Sequence, residues 1–449
     1  MKKLLIISIV FVAIIATVPF IGNIIVESNI KDRIEVLTSY GLKVKESSMD
    51  SNFLRTKKHF VFLIDDSKSF LSYLNQFSDL QLPPYFAALM DGAELGFDIE
   101  YSNIPIDDAV SIDIYPKSLA SKMVEDIKNE DAGLFTYLDA LLKDKAILYH
   151  LDYQVLNKDF SGYIKDINAS YATKQGVKGS MLINNAKFSG KGLLIAPDAL
   201  SSSIAKLYLS MEGLRENMKI DLSGFSSTSV FESKTIYATT LKWKNISWSA
   251  KSPDVPEISL KIKNLLFDFS SNTQSAKSDF YTKTSFSRMG VQMRDMSIDA
   301  DQFDYELALR GVDTAVYGEL VSLRSKSKIQ EKIIELISKG MVLDIADFSI
   351  KKLATRKTKE LGGLKLKAKI IFKEERDLSK KLATNPLVLM HNIDLSLLFK
   401  ISQVMYAKLS LVSPVLNMAQ NFAKKEEQNL IFDIKLKDAK LSVNGQEIH

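Results

Sequence analysis

The sequence lacks cysteine entirely among its 449 residues. This absence excludes disulfide bonds, thiolate metal sites and cysteine nucleophiles, and it suits an oxidising compartment in which free thiols are a liability. Proline is also scarce, with 10 residues, and no Pro/Gly/Ser-rich linker interrupts the chain after its N-terminus. We therefore expect residues 27–449 to form one continuous unit.

The recognised motifs of catalysis are missing too. The four histidines are isolated in the sequence, so no metal site is expected. No G-x-S-x-G motif occurs, and the glycines fit neither a phosphate-binding nor a dinucleotide-binding loop. We therefore expect a protein that is not an enzyme, with no catalytic residue, no cofactor and no metal ligand. A hydrolase built from dispersed Asp, Glu or Ser residues is an open alternative.

Neither sign of charge is in large excess. The formal net charge is +5, which argues against a nucleic-acid partner. The charges are nevertheless unevenly placed, because residues 60–145 hold 16 acidic residues against 6 lysines and residues 351–381 hold 12 basic residues against 4 acidic ones. Such a basic segment is typical of a solvated face, and the alternative is contact with anionic lipid or polysaccharide.

One long run without charge stands at the N-terminus. Lys2 and Lys3 precede "LLIISIVFVAIIATVPFIGNIIV", residues 4–26, which as a helix would be about 35 Å long and would cross a bilayer. No A-x-A-like cleavage site follows, so an uncleaved anchor is favoured over a signal peptide. The lysines predict a cytoplasmic tip at residues 1–3. The sequence therefore predicts a single-pass protein of the bacterial inner membrane, with residues 27–449 in the periplasm.

After this run the chain alternates apolar and polar residues in many places. In "AILYHLDYQV" the side chains of Tyr149, Leu151 and Tyr153 would share one face of a strand. Helical spacing occurs around residues 67–77, 118–143, 200–217, 316–339 and 396–424. We predict an α+β fold in which an N-terminal transmembrane helix is followed by a long, bent, mostly antiparallel β-sheet with packing helices.

A pattern of apolar-x-apolar-x-[Asn/Asp]-apolar-x-apolar recurs in these strands. With a side-chain period of two, the apolar residues before and after the Asn or Asp would lie on opposite faces. A bulge or bend at the Asn or Asp restores the face, and both residues tolerate the left-handed conformation. The pattern predicts bends at Asn103, Asn185, Asn245, Asn264, Asp295, Asp347, Asn392 and Asp438.

Two short motifs, one at the C-terminus and one at Asn168, make local predictions. Asn444-Gly445 predicts a hairpin turn, after which Gln446 to Ile448 can pair for only a few residues. Asn168 lies in an N-x-S motif with Asp166 two positions before it, which bacterial N-glycosylation of periplasmic proteins requires. Asn168 is therefore a candidate bacterial N-glycosylation acceptor, and a strand-end asparagine if the source cell lacks that machinery.

Several stretches resemble the YdgA-like family of bacterial envelope proteins of unknown function. They are the apolar N-terminus followed by "YGLKVKESSMDSNF", "KDKAILYHLDYQVLNKDFSGYIKDI", "LGGLKLKAKIIF" and "LKDAKLSVNGQEI". The resemblance implies a single-span inner-membrane protein with a large periplasmic part, and it transfers no catalytic residue. The plan is also similar to that of AsmA-like envelope proteins, whose β-grooves are associated with lipid handling.

The function predicted from these observations is a non-enzymatic binding or scaffold module of the cell envelope. Its partners would be the inner membrane, through residues 4–26, and a lipid or an envelope protein. An alternative is a β-groove that binds or transfers lipid, and a second alternative is the hydrolase. A continuous apolar trough on the sheet would favour lipid, whereas a filled core would favour a scaffold.

Overall fold

Strand dominates the computed structural model, with 59% of the described residues in strands and 23% in helices. The structure describes residues 30–448 except 77–82, 105–108, 175, 195, 214, 234, 254–255, 275, 324–325, 357, 359, 412–415 and 417–418.

The described strands are β1 (Leu42–Ser51), β2 (Arg55–Ile64), β3 (Glu94–Ser102), β4 (Ala109–Ser118), β5 (Tyr149–Gln154), β6 (Asp159–Ile164), β7 (Ile167–Ala172), β8 (Lys178–Leu193), β9 (Ala196–Glu212), β10 (Asn217–Phe231), β11 (Ile236–Lys251), β12 (Ile258–Gln274), β13 (Lys277–Met293), β14 (Met296–Asp313), β15 (Met341–Thr355), β16 (Gly362–Phe372), β17 (Ile393–Ser402), β18 (Lys424–Glu426), β19 (Asn429–Lys437), β20 (Lys440–Val443) and β21 (Gln446–Ile448).

The described α-helices are α1 (Ile30–Ser39), α2 (Ser67–Gln76), α3 (Tyr85–Met90), α4 (Ser121–Glu130), α5 (Ala132–Lys143), α6 (Thr314–Ser322), α7 (Lys326–Ser338), α8 (Leu378–Thr384), α9 (Val388–Asn392) and α10 (Gln403–Ser410). A short 3-10 helix, Gln420–Phe422, precedes β18.

The chain divides into two units. Unit 1 contains the residues up to Thr228 together with Ser247–Pro256, and unit 2 contains Ser229–Ile246 and the residues from Glu257 onward. In unit 1 the strands β1 to β6 pair antiparallel in chain order. Both β6 and β7 then pair with β8, and β8 pairs with β9.

The core of unit 1 lies between one face of this sheet and the five helices α1 to α5. The alternation in β5 explains why, since Tyr149, Leu151 and Tyr153 are buried while the residues between them face the other way. Leu134 and Leu138 of α5 are four positions apart and pack into the same core. The other face of the sheet is polar.

Unit 2 pairs its strands antiparallel as well, from β12 to β17 in chain order. β17 pairs with β19, which also pairs with β18 and β20, and β20 pairs with β21. The strands β12, β13 and β14 have 17, 17 and 18 residues. They are therefore each about 60 Å long, well above the usual strand length.

Three of the predicted bends are present. Asn185 and Asn264 are left-handed, with φ of 50° and 52°. The pairing of β12 with β13 has the same register before and after Asn264, so this residue bends the strand without inserting a bulge. Asp347 instead lies at a register shift in the pairing of β15 with β14 and β16, which is a bulge.

The prediction of a bend in a continuing strand is wrong at Asp295, Asp438 and Asn392, and it stays a prediction at Asn103 and Asn245. Asp295 and Asp438 lie in two-residue hairpin turns that reverse the chain. Asn392 ends α9, Asn103 follows β3, and Asn245 lies inside β11 without a left-handed φ. The same short pattern is therefore compatible with a bend, a turn or a regular strand, and the partner strand decides between them.

The predicted turn at the C-terminus is confirmed. Asn444 and Gly445 have φ of 50° and 81°, and they join β20 to β21, where Val443 pairs with Gln446. The prediction of a helix around residues 200–217 is wrong, because most of that stretch is β9 and its end begins β10.

The predicted fold class and localisation need correction. The predicted α+β class is wrong, because residues in strands outnumber residues in helices by more than two to one.

The predicted transmembrane helix, residues 4–26, lies outside the described residues. No helix in the described part is long and apolar enough to cross a membrane. The longest, α7, has 13 residues and spans about 20 Å, against the 30 Å of a bilayer core. The described helices therefore do not support the predicted single-pass inner-membrane localisation with a periplasmic C-terminal region.

Candidate functional site

Asn168 is the second residue of β7, and its side chain is exposed. Its backbone position pairs with Leu182 of β8. The acid of the motif has a structural role, because an Asp166 carboxylate oxygen accepts a hydrogen bond from the backbone N–H of Asn185 at 2.7 Å. This bond supports the left-handed conformation of Asn185. Modification of Asn168 stays a prediction.

Two of the isolated histidines belong to a row of charged side chains on the polar face of unit 1. The register places His59, Asp98, Asp113 and His150 opposite one another on the consecutive strands β2 to β5. No sequence motif indicates this row, because helices and loops separate the four residues along the chain. Register between distant strands brought them together.

Asp98 has two basic side chains as partners. Its carboxylate lies 2.6 Å from Nδ1 of His59 and accepts a hydrogen bond from Nζ of Lys145, also at 2.6 Å. Burial alone would raise the pKa of Asp98, but the bonds from Lys145 and His59 outweigh it and hold that pKa below its usual range. Asp98 therefore stays ionised.

His150 bridges two carboxylates. Its Nδ1 lies 2.7 Å from Asp113 and its Nε2 lies 3.0 Å from Asp152. The bond with Asp113 is the main cause of a raised pKa of His150, burial opposes it, and Asp152 adds to the rise. Tyr163 stacks on the imidazole with ring centroids 4.8 Å apart. Because both ring nitrogens face acceptors, the imidazolium form is favoured.

This row does not have the geometry of a nucleophilic site. The hydroxyl of Ser111 donates to Asp152 at 2.5 Å and not to a histidine, so the described contacts of this row contain no Ser–His pair. Within the described residues, no group of three or more His, Asp or Glu side chains could hold a metal ion. The contacts are those of a cross-strand ionic network.

Unit 2 has a different feature, an apolar face on its long strands. We define the apolar face as the side chains of Phe267, Phe269, Phe286, Phe303, Tyr305, Leu307, Ile345 and Phe348, which the register aligns across β12 to β15. Ring contacts place several of them on one side of the sheet. The Phe303 ring lies 4.8 Å from the Phe286 ring and 5.8 Å from the Phe348 ring.

The apolar face is only half-buried. In unit 1 the core side chains Phe97 and Leu151 are 0% exposed, because helices cover them. None of the residues of the apolar face reaches this burial. Asp304 and Glu306, which alternate with Phe303 and Tyr305 along β14, are half-buried to a similar degree. Similar burial of both faces is what a single layer of sheet shows, with no described element stacked on it.

Among the described residues of unit 2, helices pack on the same side of the sheet at two buried clusters beside the apolar face. α6 packs Tyr317 against Phe280, with the rings 4.8 Å apart, next to the buried Val312. α10 packs Tyr406 against Phe432, with the rings 5.7 Å apart. The apolar face belongs to neither of these buried clusters. It is therefore a stretch of uncovered apolar surface between two helix-covered regions of unit 2.

The reverse side of the same strands is charged. Alternation in "GLKLKAKIIF" places Leu364, Leu366 and Ala368 of β16 in the rows of the apolar side. The intervening Lys365 and Lys367 then point to the opposite side. Unit 2 therefore presents an apolar side and a charged side within one sheet.

Neither the apolar face nor the ionic row could be located from sequence motifs, because both arise from strand register. Comparison with known proteins provides no precedent for either: no family model, no curated protein and no solved structure matches the chain. The resemblance to the YdgA-like family stays a prediction.

Proposed function

We propose that this protein is a non-enzymatic binding protein that holds a lipid acyl chain on the apolar face of unit 2. The observation that supports the proposal is the uncovered row of aromatic and aliphatic side chains between α6 and α10. Burying apolar surface is favourable by about 25 cal/mol per Å². An occupant without polar groups to satisfy is therefore favoured along this face.

The helices on either side favour a slender ligand over a flat protein partner. A protein surface would have to contact the apolar face between the flanking helices α6 and α10, whereas an acyl chain can lie along the strands. Each of the strands β12 to β14 is long enough for a complete acyl chain. A pure scaffold would be expected to fill this surface with its own side chains, as unit 1 does.

The first test is direct analysis of the purified full chain. An organic extract of the folded protein is examined by mass spectrometry beside an extract of an unrelated protein from the same cells. We expect lipid above the background of that control. A folded preparation that carries no lipid above background would contradict the proposal.

A variant pair locates the binding. Phe303→Asp places a carboxylate in the path of an acyl chain, and Gln292→Asp places the same group at an exposed position on β13. With cis-parinaric acid as the fluorescent probe, we expect Phe303→Asp to weaken binding at least about tenfold, since desolvating a carboxylate costs more than 1.4 kcal/mol. Gln292→Asp should bind as the unchanged protein does.

Thermal unfolding of the same variants separates an open face from a filled core. A half-open face leaves the carboxylate of Phe303→Asp in contact with water, so the ligand-free variant should still fold. If Phe303→Asp fails to fold while Gln292→Asp folds normally, the face is a filled core and the proposal fails.

A further inference from the structure

A groove of about 640 Å³ lies in unit 2 where the strands β13 to β17 pass side by side. Most of its polar lining comes from the charged side of the sheet. Three neighbouring strands each contribute one lysine: Lys351 from β15, Lys365 from β16 and Lys400 from β17. Hydroxyl groups of Ser285 and Ser349 also line it.

Register explains why these groups converge. Ser285, Asp304, Ser349, Lys365 and Lys400 form one cross-strand row, each residue directly opposite the next. Side chains directly opposite one another in antiparallel strands have Cβ atoms about 5 Å apart. Lys365 and Lys400 are therefore like-charged cross-strand neighbours, and such a pair destabilises a sheet unless a negative charge compensates for it.

The protein compensates for only part of this charge. Lys365 donates a hydrogen bond to a carboxylate oxygen of Asp347 at 3.1 Å. In the described part of the chain, no carboxylate forms an ion pair with Lys351 or Lys400. Asp304 is the one acidic residue among the lining groups of the groove. The groove therefore keeps an excess of positive charge.

We propose that this groove binds the phosphate group of a phosphate monoester. Each ammonium supplies up to three hydrogen-bond donors and each serine hydroxyl one more, which suits the oxygens of a phosphate dianion. A phosphate would sit between Lys365 and Lys400 and relieve their repulsion. A free phosphate fills only a small part of the volume, so the remainder receives the polar body of the ester. The site lies on the opposite side from the apolar face and does not depend on acyl-chain binding.

Because Lys365 and Lys400 carry like charges, replacing Lys400 should change stability and ligand binding in opposite directions. Without ligand, Lys400→Gln removes a like-charge contact, so this variant should melt at a higher temperature than the unchanged protein. With glycerol 3-phosphate at fixed ionic strength, the unchanged protein should be stabilised, because a ligand of the folded state raises its melting temperature. Lys400→Gln should bind this ester at least about tenfold more weakly, as expected for the loss of one charge-assisted hydrogen bond.

Lys369→Gln is the matched control. Lys369 lies on the same side of the same strand as Lys365, about 13 Å farther along, and it does not line the groove. This variant should respond to glycerol 3-phosphate as the unchanged protein does. If both lysine variants bind glycerol 3-phosphate equally weakly, the ester responds only to the overall positive charge of this side of the sheet. That result would overturn the site. The site would also be overturned if glycerol 3-phosphate raised the melting temperature of the unchanged protein no more than chloride does at the same ionic strength.

Two further probes distinguish the source of the phosphate. Inorganic phosphate alone should bind more weakly than glycerol 3-phosphate, because it does not fill the groove. Vesicles of phosphatidylcholine with and without phosphatidic acid test for a lipid headgroup. Binding of phosphatidic acid vesicles that Lys400→Gln abolishes assigns the site to a headgroup, and binding of the soluble ester alone assigns it to a free metabolite. A response to neither would overturn the proposal.

Discussion

The contacts of His150 show how a single residue can connect three strands. Its two ring nitrogens contact Asp113 on β4 and Asp152 on its own strand, and its ring stacks on Tyr163 of β6. Two carboxylates near one position would repel each other without a cation between them. The protonated imidazole therefore stabilises this part of the polar face.

This arrangement predicts a pH-dependent effect of His150→Gln. Because the folded-state pKa of His150 is raised above its unfolded value of about 6.5, its stabilising contribution is complete below that pH and is lost as the pH rises through the folded-state pKa. The variant should be less stable than the unchanged protein at pH 6, by about 0.5–1 kcal/mol for partly exposed partners, and equally stable at pH 9. Thermal unfolding at the two pH values measures this difference.

His391→Gln serves as the control, because His391 is exposed on α9. Its effect should be the same at pH 6 and at pH 9. A His150→Gln variant that destabilises the protein equally at both values would show that the charge of the imidazole does not matter.

Among the elements, the hairpin of β20 and β21 shows how one residue fixes a turn. Asn444 has φ of 50°, and its side-chain carbonyl accepts a hydrogen bond from the backbone N–H of Asp433 at 2.9 Å. Its amide donates to the backbone carbonyls of Phe422 and Ile431, at 2.6 and 3.0 Å. The turn residue thus ties β20 and β21 to β19 and to the 3-10 helix.

Two substitutions of Asn444 separate the contribution of its left-handed backbone conformation from that of its side-chain hydrogen bonds. Asn444→Gly keeps the left-handed conformation and loses the side-chain bonds, whereas Asn444→Ala loses both. We expect hydrogen exchange of β18 to β21 to accelerate in both variants, and by a further factor of about ten in Asn444→Ala, since the left-handed conformation costs alanine about 1–2 kcal/mol. Equal exchange in the two variants would mean that the backbone conformation contributes nothing.

The short sequence pattern explains part of the fold and misses part of it. Asn264 was found as a bend because Asn tolerates a positive φ, and Asn444-Gly445 because few other dipeptides make that turn. Asp438 matched the same pattern, yet it reverses the chain together with Ala439, whose φ is 61°. Local residues set the tolerated conformation, but whether the strand continues or reverses depends on contacts with distant strands.

At the scale of the whole molecule, the candidate site also depends on contacts between distant parts of the chain, which the sequence does not show. The alternation around Phe303 and Phe348 is visible in the sequence and predicts strands with one apolar side. Which side a helix covers is not visible, because it depends on where α6 and α10 return to the sheet. The sequence could therefore predict apolar faces in both units, but not that unit 1 fills its face and unit 2 leaves one open.

This difference predicts unequal stability within the chain. Unit 1 buries Phe97, Ile112 and Leu151 completely, whereas the apolar side chains of β12 and β13 stay half-buried. Local opening is cheaper where less apolar surface is buried. In hydrogen exchange of the lipid-free full chain, β3 to β5 should therefore exchange more slowly than β12 and β13.

Adding a fatty acid should change this order, because a ligand that binds only the folded state suppresses opening of the site it covers. Exchange of β12 to β15 should slow in proportion to ligand saturation, about a hundredfold at a hundred times the dissociation constant, while β3 to β5 stay unchanged. Phe303→Asp should remove the slowing, and Gln292→Asp should retain it. Uniform slowing across both units, or none in β12 to β15, would place the ligand elsewhere. Slowing confined to β12 to β15 would tie the open face directly to the binding of an acyl chain.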